Sequence, residues 1–232
     1  MKINVAGYKI LNPLAKGPKT HVYRALDRAR QPVILKFLHK EFSVPEKIAR
    51  FQKEYELISS LSSDYVVQAY DLVQDNGTLF MVMEDFHGIS LKDHFQHKHA
   101  VLKPESIKEI VKIIRYMVLG LADIHSSNLQ HRDVNPSNII YNAEKDQLKL
   151  IDFGLATDSY MPVADAPEVS FEGTYPYMSP EQTGRLNRKS DYRTDYYSLG
   201  ITIYELLTGT FPFQANSPRE WIHCHLAKEP VP

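Results

Sequence analysis

Near residue 84 the chain changes character, from mostly short runs rich in β-branched and aromatic residues to mostly longer stretches with apolar residues at helical spacing, and this change constrains the fold more than any other feature. Before it, residues 8–14, 21–26 and 33–38 are short runs rich in β-branched and aromatic residues, separated by Gly, Pro or Arg-Gln-Pro turns, and they read as strands. Residues 66–73 and 79–84 read as two more, joined through the hairpin turn Asp75-Asn76-Gly77. One helix interrupts them over residues 45–61, where Ile48, Phe51, Tyr55, Ile58 and Leu61 recur three or four apart. Beyond residue 84, Pro104 stands near the start of a long helical pattern (Ile107, Ile110, Val111, Ile114, Met117, Val118, Leu121, Ile124) that runs to His125. A strand pair over 139–141 and 148–151 follows, then an irregular stretch over 155–180, and the last clear helix spans about 192–207. The expected fold class is α+β: a small antiparallel β lobe with one helix over residues 1–84, and a larger helical lobe over 85–232.

Charge and cysteine content narrow the function classes. Lys and Arg total 27 against 28 Asp and Glu, which gives no chain-wide attraction to nucleic acid or an anionic membrane. Cys224 is the single cysteine, so no internal disulfide forms. There is no apolar leader after Met1 and no run long enough to cross a bilayer, and the expected location is cytoplasmic.

Three polar groups in apolar settings point to phosphoryl transfer, which asks a protein mainly for positioning and charge compensation. Lys36 ends the strand Val33-Ile34-Leu35-Lys36, where burial is costly unless the charge is paired, and Glu54 on the following helix faces inward beside Tyr55 and Ile58 as its natural partner. His131-Arg132-Asp133-Val134-Asn135-Pro136-Ser137-Asn138 places a carboxylate (Asp133) five residues before an amide (Asn138). Asp152-Phe153-Gly154 follows an apolar strand, with Asp152 suited to a cation and Gly154 expected to take an unusual backbone conformation. One such motif alone is weak; the set in this order, each flanked by a strand signal, is specific.

From about Tyr8 to its end the chain resembles the eukaryotic-like protein kinase superfamily. Gly173-Thr174-Tyr175-Pro176-Tyr177-Met178-Ser179-Pro180-Glu181 is similar to the end of that family's activation segment, and Asp195-Tyr196-Tyr197-Ser198-Leu199-Gly200 to the start of its central helix. The resemblance implies a bilobal fold, ATP and Mg²⁺ as cofactors, Asp133 as catalytic base, Lys36 on the phosphates with Glu54 orienting it, and Asn138 and Asp152 on the metal. It implies a nucleotide site lined by Gly17, Val22, Ile34, Lys36, Met83, Glu84, Phe86 and Ile140, with Met83 as gatekeeper and residues 84–86 as hinge. It also implies a hydrophobic spine through Ile58, Tyr70, His131 and Phe153, and an Asp195 that ties down the catalytic loop. Pro136 and Gly173-Thr174 match the serine/threonine pattern, with Thr174 lining the acceptor site of a protein substrate. Arg132 implies control by phosphorylation at Thr157, Ser159 or Ser170. Asn135-Pro136-Ser137-Asn138, residues 179–185 and residues 191–200 are similar to the kinase domains that open large bacterial sensor proteins, which also carry ATPase, GAF and histidine-kinase domains. On that likeness the remaining helices and domains follow Pro232.

The pattern also breaks. Of three phosphate-loop glycines only Gly17 is present in Ala15-Lys16-Gly17-Pro18-Lys19-Thr20-His21-Val22, and Pro18 lacks an N–H. Ile34 stands where a small alanine is usual. Asn135 replaces a lysine that neutralises the transferring group, which predicts slow turnover. Glu181 lacks its family arginine partner, which predicts a loose segment over 173–186. A pseudokinase-like module that binds nucleotide or a partner is therefore the alternative to an active enzyme, and a small-molecule kinase is a third reading that the Gly173–Glu181 segment disfavours. His94, His97 and His99, and His223-Cys224-His225, lack the spacing of a zinc site and read as solvated helix faces. Phe211-Pro212-Phe213 reads as core and turn packing.

Overall fold

The computed structural model describes residues 5, 7–17, 19–39, 41, 43–96, 104–158, 173–186 and 190–232. They form two compact units, one of residues 1–62 and 66–87, the other of residues 63–65 and 88–232. The secondary structure is the α+β mixture expected from the sequence.

The first unit is a five-stranded antiparallel sheet of β1 (Lys9–Lys16), β2 (Thr20–Leu26), β3 (Pro32–Leu38), β4 (Ala69–Asp75) and β5 (Thr78–Glu84), in the order β1-β2-β3-β5-β4. β3 is flanked on both sides, and four consecutive residues of it, Leu35 to Leu38, are buried. Val33, Leu35 and Phe37 lie on one face, in a core with Ala25, Phe80 and Val82; Ile34 and Lys36 therefore point to the other. In the β4–β5 hairpin Asp75 pairs with Thr78, and Asn76 (φ 48°) and Gly77 (φ 71°) both take the left-handed conformation that a two-residue turn requires.

α1 (Pro45–Ser60) starts with proline in its first turn and ends where the Leu61 N–H bonds the Ile58 carbonyl. It buries Phe51, Glu54, Leu57 and Ile58. One expectation fails in this unit. Tyr70 is 54% exposed, because it falls at the register shift between Ala69 and Asp71 and is turned out of the pleat, so it belongs to no buried spine.

The second unit is mostly helical. α2 (Leu91–Phe95) is short, and α3 (Pro104–Ser126) presents Ile110, Ile113, Met117, Leu121 and Ile124 as one fully buried face, leaving Ile107, Val111 and Val118 exposed. Gly120 lets α3 pass close to a strand: a Cβ there would meet Leu150 Cδ1 at 2.3 Å and Tyr65 Cβ at 3.0 Å. That strand, β9 (Gln147–Leu150), belongs to a three-stranded sheet in the order β6 (Ile89–Ser90), β8 (Ile139–Asn142), β9; β7 (Leu129–Gln130) pairs with β10 (Thr157–Asp158).

α4 (Arg193–Thr208) ends on left-handed Gly209, and its inward face is largely polar, with Thr194, Asp195, Ser198 and Thr202 all buried. It is not the last helix. α5 (Pro218–Ala227) follows, started by Ser217, whose hydroxyl accepts the Glu220 N–H, and by Pro218. The signal Ser217-Pro218-Arg219-Glu220 is legible in the sequence but is followed by a weakly amphipathic run. No helix among the described residues is long and apolar enough to cross a membrane.

Candidate active site

In the first unit the site is built on β3. Lys36 stands opposite Val22 on β2 and Met81 on β5, and Ile34 stands opposite Met83. Residues directly opposite in antiparallel strands share a face, so Val22, Ile34, Lys36 and Met83 project from the same side of the sheet. Lys36 is 8% and Glu54 4% exposed, and Lys36 Nζ donates to Glu54 Oε1 at 2.6 Å. The pairing expected from burial is present; either charge alone there would be strongly unfavourable.

At the turn between β1 and β2 the Gly17 N–H bonds the Thr20 carbonyl at 2.9 Å, closing a tight loop whose Pro18 lies outside the described residues. Beyond β5, the Glu84 N–H bonds the Gln68 carbonyl at 2.9 Å, and Phe86 is half-buried. Between them the Asp85 carboxylate, 1% exposed, takes a two-pronged bond from Arg24 (Nε at 2.6 Å, Nη2 at 3.1 Å) and the His87 N–H at 3.0 Å. Sequence reasoning missed this pair. Its members are 61 residues apart, and only the register of β2 against its neighbours brings them together.

The second unit carries its own candidate residues, on the loop between β7 and β8. Asp195, fully buried at the start of α4, accepts the His131 N–H (2.9 Å) and the Arg132 N–H (2.7 Å), and its Oδ2 also bonds His125 Nε2 at 2.8 Å. Arg132 is held in the left-handed region (φ 65°). Next comes Asp133. Its Oδ2 accepts from Asn138 Nδ2 at 2.9 Å and its Oδ1 from the Thr174 N–H at 3.2 Å.

A 3₁₀ turn over Pro136–Asn138 brings Asn138 round, capped by Asn135, whose Oδ1 accepts the Ser137 N–H at 3.0 Å. Asn135 Nδ2 reaches the Asp133 carbonyl (3.0 Å) and Thr174 Oγ1 (3.4 Å), so the residue standing in for the family lysine ties loop to segment.

The Ile151 N–H bonds the Asn138 carbonyl at 2.9 Å, which brings the start of Asp152-Phe153-Gly154 beside the loop. His131 Nε2 donates to the Ile151 carbonyl at 3.0 Å while its Nδ1 accepts the Asp133 N–H, orienting a ring whose centroid is 4.9 Å from that of Phe153. The unusual backbone angle falls on Asp152 (φ 66°) and not, as expected, on Gly154. Ile140 is half-buried on β8, opposite Lys149.

Asn138 and Asp152 fit a hard cation. Both N–H bonds recorded for Asn138 Nδ2 go to Asp133, which leaves the amide oxygen at the other end of the group, and carboxylate plus amide oxygen is a donor set for Mg²⁺.

The segment over 173–186 is not loose. Met178, Ser179 and Thr183 are buried, and Tyr177 donates its hydroxyl to Glu205 on α4 and accepts a bond from Ser198 Oγ at its carbonyl. Burial, the Glu205 bond and charge, and then the charge of Asp133 drive the Tyr177 phenol far above its usual range. Glu181, without an arginine among its recorded bonds, accepts from Thr194 Oγ1 at 2.8 Å. Thr157 pairs with Gln130 on β7, while Ser159 and Ser170 lie outside the described residues.

Of the histidines, His94 bonds Glu109 at 2.8 Å and His97 and His99 are outside the described residues. His225 departs from the solvated face expected of it. It is buried, with Nε2 donating to the Tyr175 carbonyl (2.7 Å), Nδ1 accepting from Tyr197 (2.8 Å) and its ring stacked on Trp221. Phe213 is buried and Phe211 packs edge-on against Tyr177.

Over most of its length the chain is similar to known proteins. The model of the protein kinase domain family matches residues 8–229. The serine/threonine-protein kinase PknL of Mycobacterium tuberculosis (strain CDC 1551 / Oshkosh) is 36% identical over 215 residues, covering 90% of this chain and 51% of its own length. The kinase pkn3 of Myxococcus xanthus is 33% identical over 243 residues (97% of this chain, 42% of its own length), and PrkC of Bacillus subtilis (strain 168) 34% identical over 227 (96% and 33%). The chain thus spans about half or less of the length of these curated relatives.

Proposed function

The chain belongs to the protein kinase domain family, and from that premise we propose that it is the catalytic part of a serine/threonine protein kinase, with residues 1–84 as its N-lobe and 85–232 as its C-lobe. Kinases of this family use ATP and typically Mg²⁺. In the first unit Lys36, fixed by Glu54, would hold the α and β phosphates, and the face carrying Val22, Ile34 and Met83, with Gly17, Glu84 and Phe86, would receive the nucleotide. In the second unit Ile140 would touch the nucleotide, and Asn138 and Asp152 would hold Mg²⁺, which when bound compensates the charge of the transferring phosphoryl group.

Asp133 carries the reading. Its carboxylate is oriented by two neutral N–H donors, from Asn138 and from Thr174 of the acceptor segment. No cationic side chain among the described residues bonds it, so a serine or threonine hydroxyl can approach it and pass it a proton without displacing an ion pair. Thr174, exposed beside it, supports an acceptor side chain from a protein substrate.

The test is transfer of labelled phosphate from ATP·Mg²⁺ to a basic protein and to the chain itself. Asp133→Ala and Lys36→Met should each reduce the rate at least about a thousandfold. An Asp133→Ala rate equal to wild type would overturn the assignment. A wild type that binds nucleotide with no transfer would favour the pseudokinase reading, which the single loop glycine and Asn135 support. We further propose, on the likeness of residues 135–138, 179–185 and 191–200 to the kinase domains of bacterial sensor proteins, a cytoplasmic signalling role alongside ATPase, GAF and histidine-kinase domains of the same polypeptide.

A further inference from the structure

The 3₁₀ turn Pro180–Thr183 closes the segment that lies beside Asp133, and Gln182 within it uses both ends of its amide. Its Oε1 accepts the Ser179 N–H at 2.9 Å, and its Nε2 donates to the Arg132 carbonyl at 2.8 Å, 50 residues away in sequence. The first bond is half of a capping box, Ser179-Pro180-Glu181-Gln182, and in that motif Glu serves as well as Gln. Only the second bond needs an N–H donor. The choice of glutamine over glutamate at this position is thus explained by Arg132 and not by the turn.

Arg132 is the residue before Asp133, and its left-handed backbone (φ 65°) is one that a side-chain-bearing residue keeps only where its surroundings over-determine it. Its N–H is held by Asp195 at 2.7 Å and its carbonyl by Gln182 at 2.8 Å. The Arg132–Asp133 peptide therefore begins at a carbonyl gripped by the same segment whose Thr174 N–H orients the Asp133 carboxylate.

We propose that Gln182 is a positioning residue for Asp133. By gripping the Arg132 carbonyl it makes the geometry of the catalytic loop depend on the order of the 173–186 segment, so that a displaced segment releases the loop as well as the acceptor site. This rests on the phosphotransfer reading above.

The experiment compares wild type with Gln182→Glu, which keeps the turn's acceptor but sets a carboxylate against the Arg132 carbonyl, and with Gln182→Met, which offers neither. Two readouts are taken: kcat and KM for ATP and a protein acceptor, and amide hydrogen exchange over residues 131–133. Both variants should lose about 10- to 100-fold in kcat with KM for ATP within about twofold of wild type, and amide protection over 131–133 should fall about tenfold or more. A merely structural role in the turn predicts that Gln182→Glu behaves as wild type in both readouts, and that result would overturn the proposal. If the wild type transfers no phosphate, the exchange comparison still decides the role of Gln182, while the kinase reading fails separately.

Discussion

The two units hold buried charge in different ways. Among the described residues of the sheet unit, buried charges meet opposite ones: Lys36 with Glu54, and the Asp85 carboxylate with half-buried Arg24. In the helical unit the central carboxylates are met chiefly by neutral N–H groups: Asp195 by the His131 and Arg132 amides as well as His125 Nε2, and Asp133 by Thr174 N and Asn138 Nδ2. An ion pair fixes a charge state and tolerates variation in angle, whereas a set of N–H donors fixes direction and leaves the negative charge in place. In the proposed reaction Lys36 would need only to be present and restrained at the phosphates. Asp133 would need to be aimed at the acceptor hydroxyl.

Mutations can sharpen or break this contrast. Asp195→Ala should have the largest effect on stability, about 3–5 kcal/mol, because it strands the buried His131 N–H and the part-buried Arg132 N–H; urea unfolding showing a loss under about 1 kcal/mol would mean that the loop is held by something else. Lys36→Ala should follow at about 3 kcal/mol, since it takes the Lys36 ammonium away from the buried Glu54 carboxylate, while the double replacement Lys36→Met with Glu54→Leu should return to within about 1 kcal/mol of wild type yet remain inactive. If the double variant is as unstable as the single, the pair contributes more than mutual neutralisation.

Asn135→Lys comes next: it removes the cap of the 3₁₀ turn and should lower stability by about 1 kcal/mol in the same assay, while kcat rises severalfold from the added cation. No rise would mean that the ties from Asn135 to Asp133 and Thr174 outweigh the missing charge.

The smallest effect is in pH. Burial pushes the His225 imidazole below its ordinary 6.5, so its contribution is present above pH 6.5 and is lost as pH falls through the depressed folded value. Tyr197, its partner, is pushed up from 10.0 to about 12, chiefly by burial, so its contribution is present below pH 10.0 and is lost as pH rises through about 12. Thermal midpoints against pH should show both edges in wild type and a weakened acid edge in His225→Gln; an unchanged acid edge would mean that other groups set it.

Much of the site was legible because its chemistry repeats a local logic. A lysine late in a central strand needs a carboxylate, and Glu54 was the inward one available on the next helix. Asp75-Asn76-Gly77 needs left-handed residues and has them. The misreadings share a cause in tertiary context. Tyr70 looks like a buried strand residue until a bulge turns it out, and Asp152, not Gly154, takes the left-handed angle. His225 looks like a surface histidine until Trp221, Tyr197 and the Tyr175 carbonyl enclose it. The 173–186 segment looked loose on the expectation of an arginine partner for Glu181, yet Thr194 bonds Glu181, and Glu205 and Ser198 bond Tyr177, from α4.

By itself, the order of residues determined the element types, the Lys36–Glu54 pairing and the identity of the acidic and amide side chains around Asp133, because periodicity, turn chemistry and the penalty on unpaired buried charge act over short stretches of chain. Only the tertiary structure decided which distant groups meet: Arg24 on the Asp85 carboxylate, Asp195 on the Arg132 N–H, Gln182 on the Arg132 carbonyl. Those bonds join residues 50 to 63 positions apart, and a hydrogen bond depends on distance and angle that no local pattern encodes.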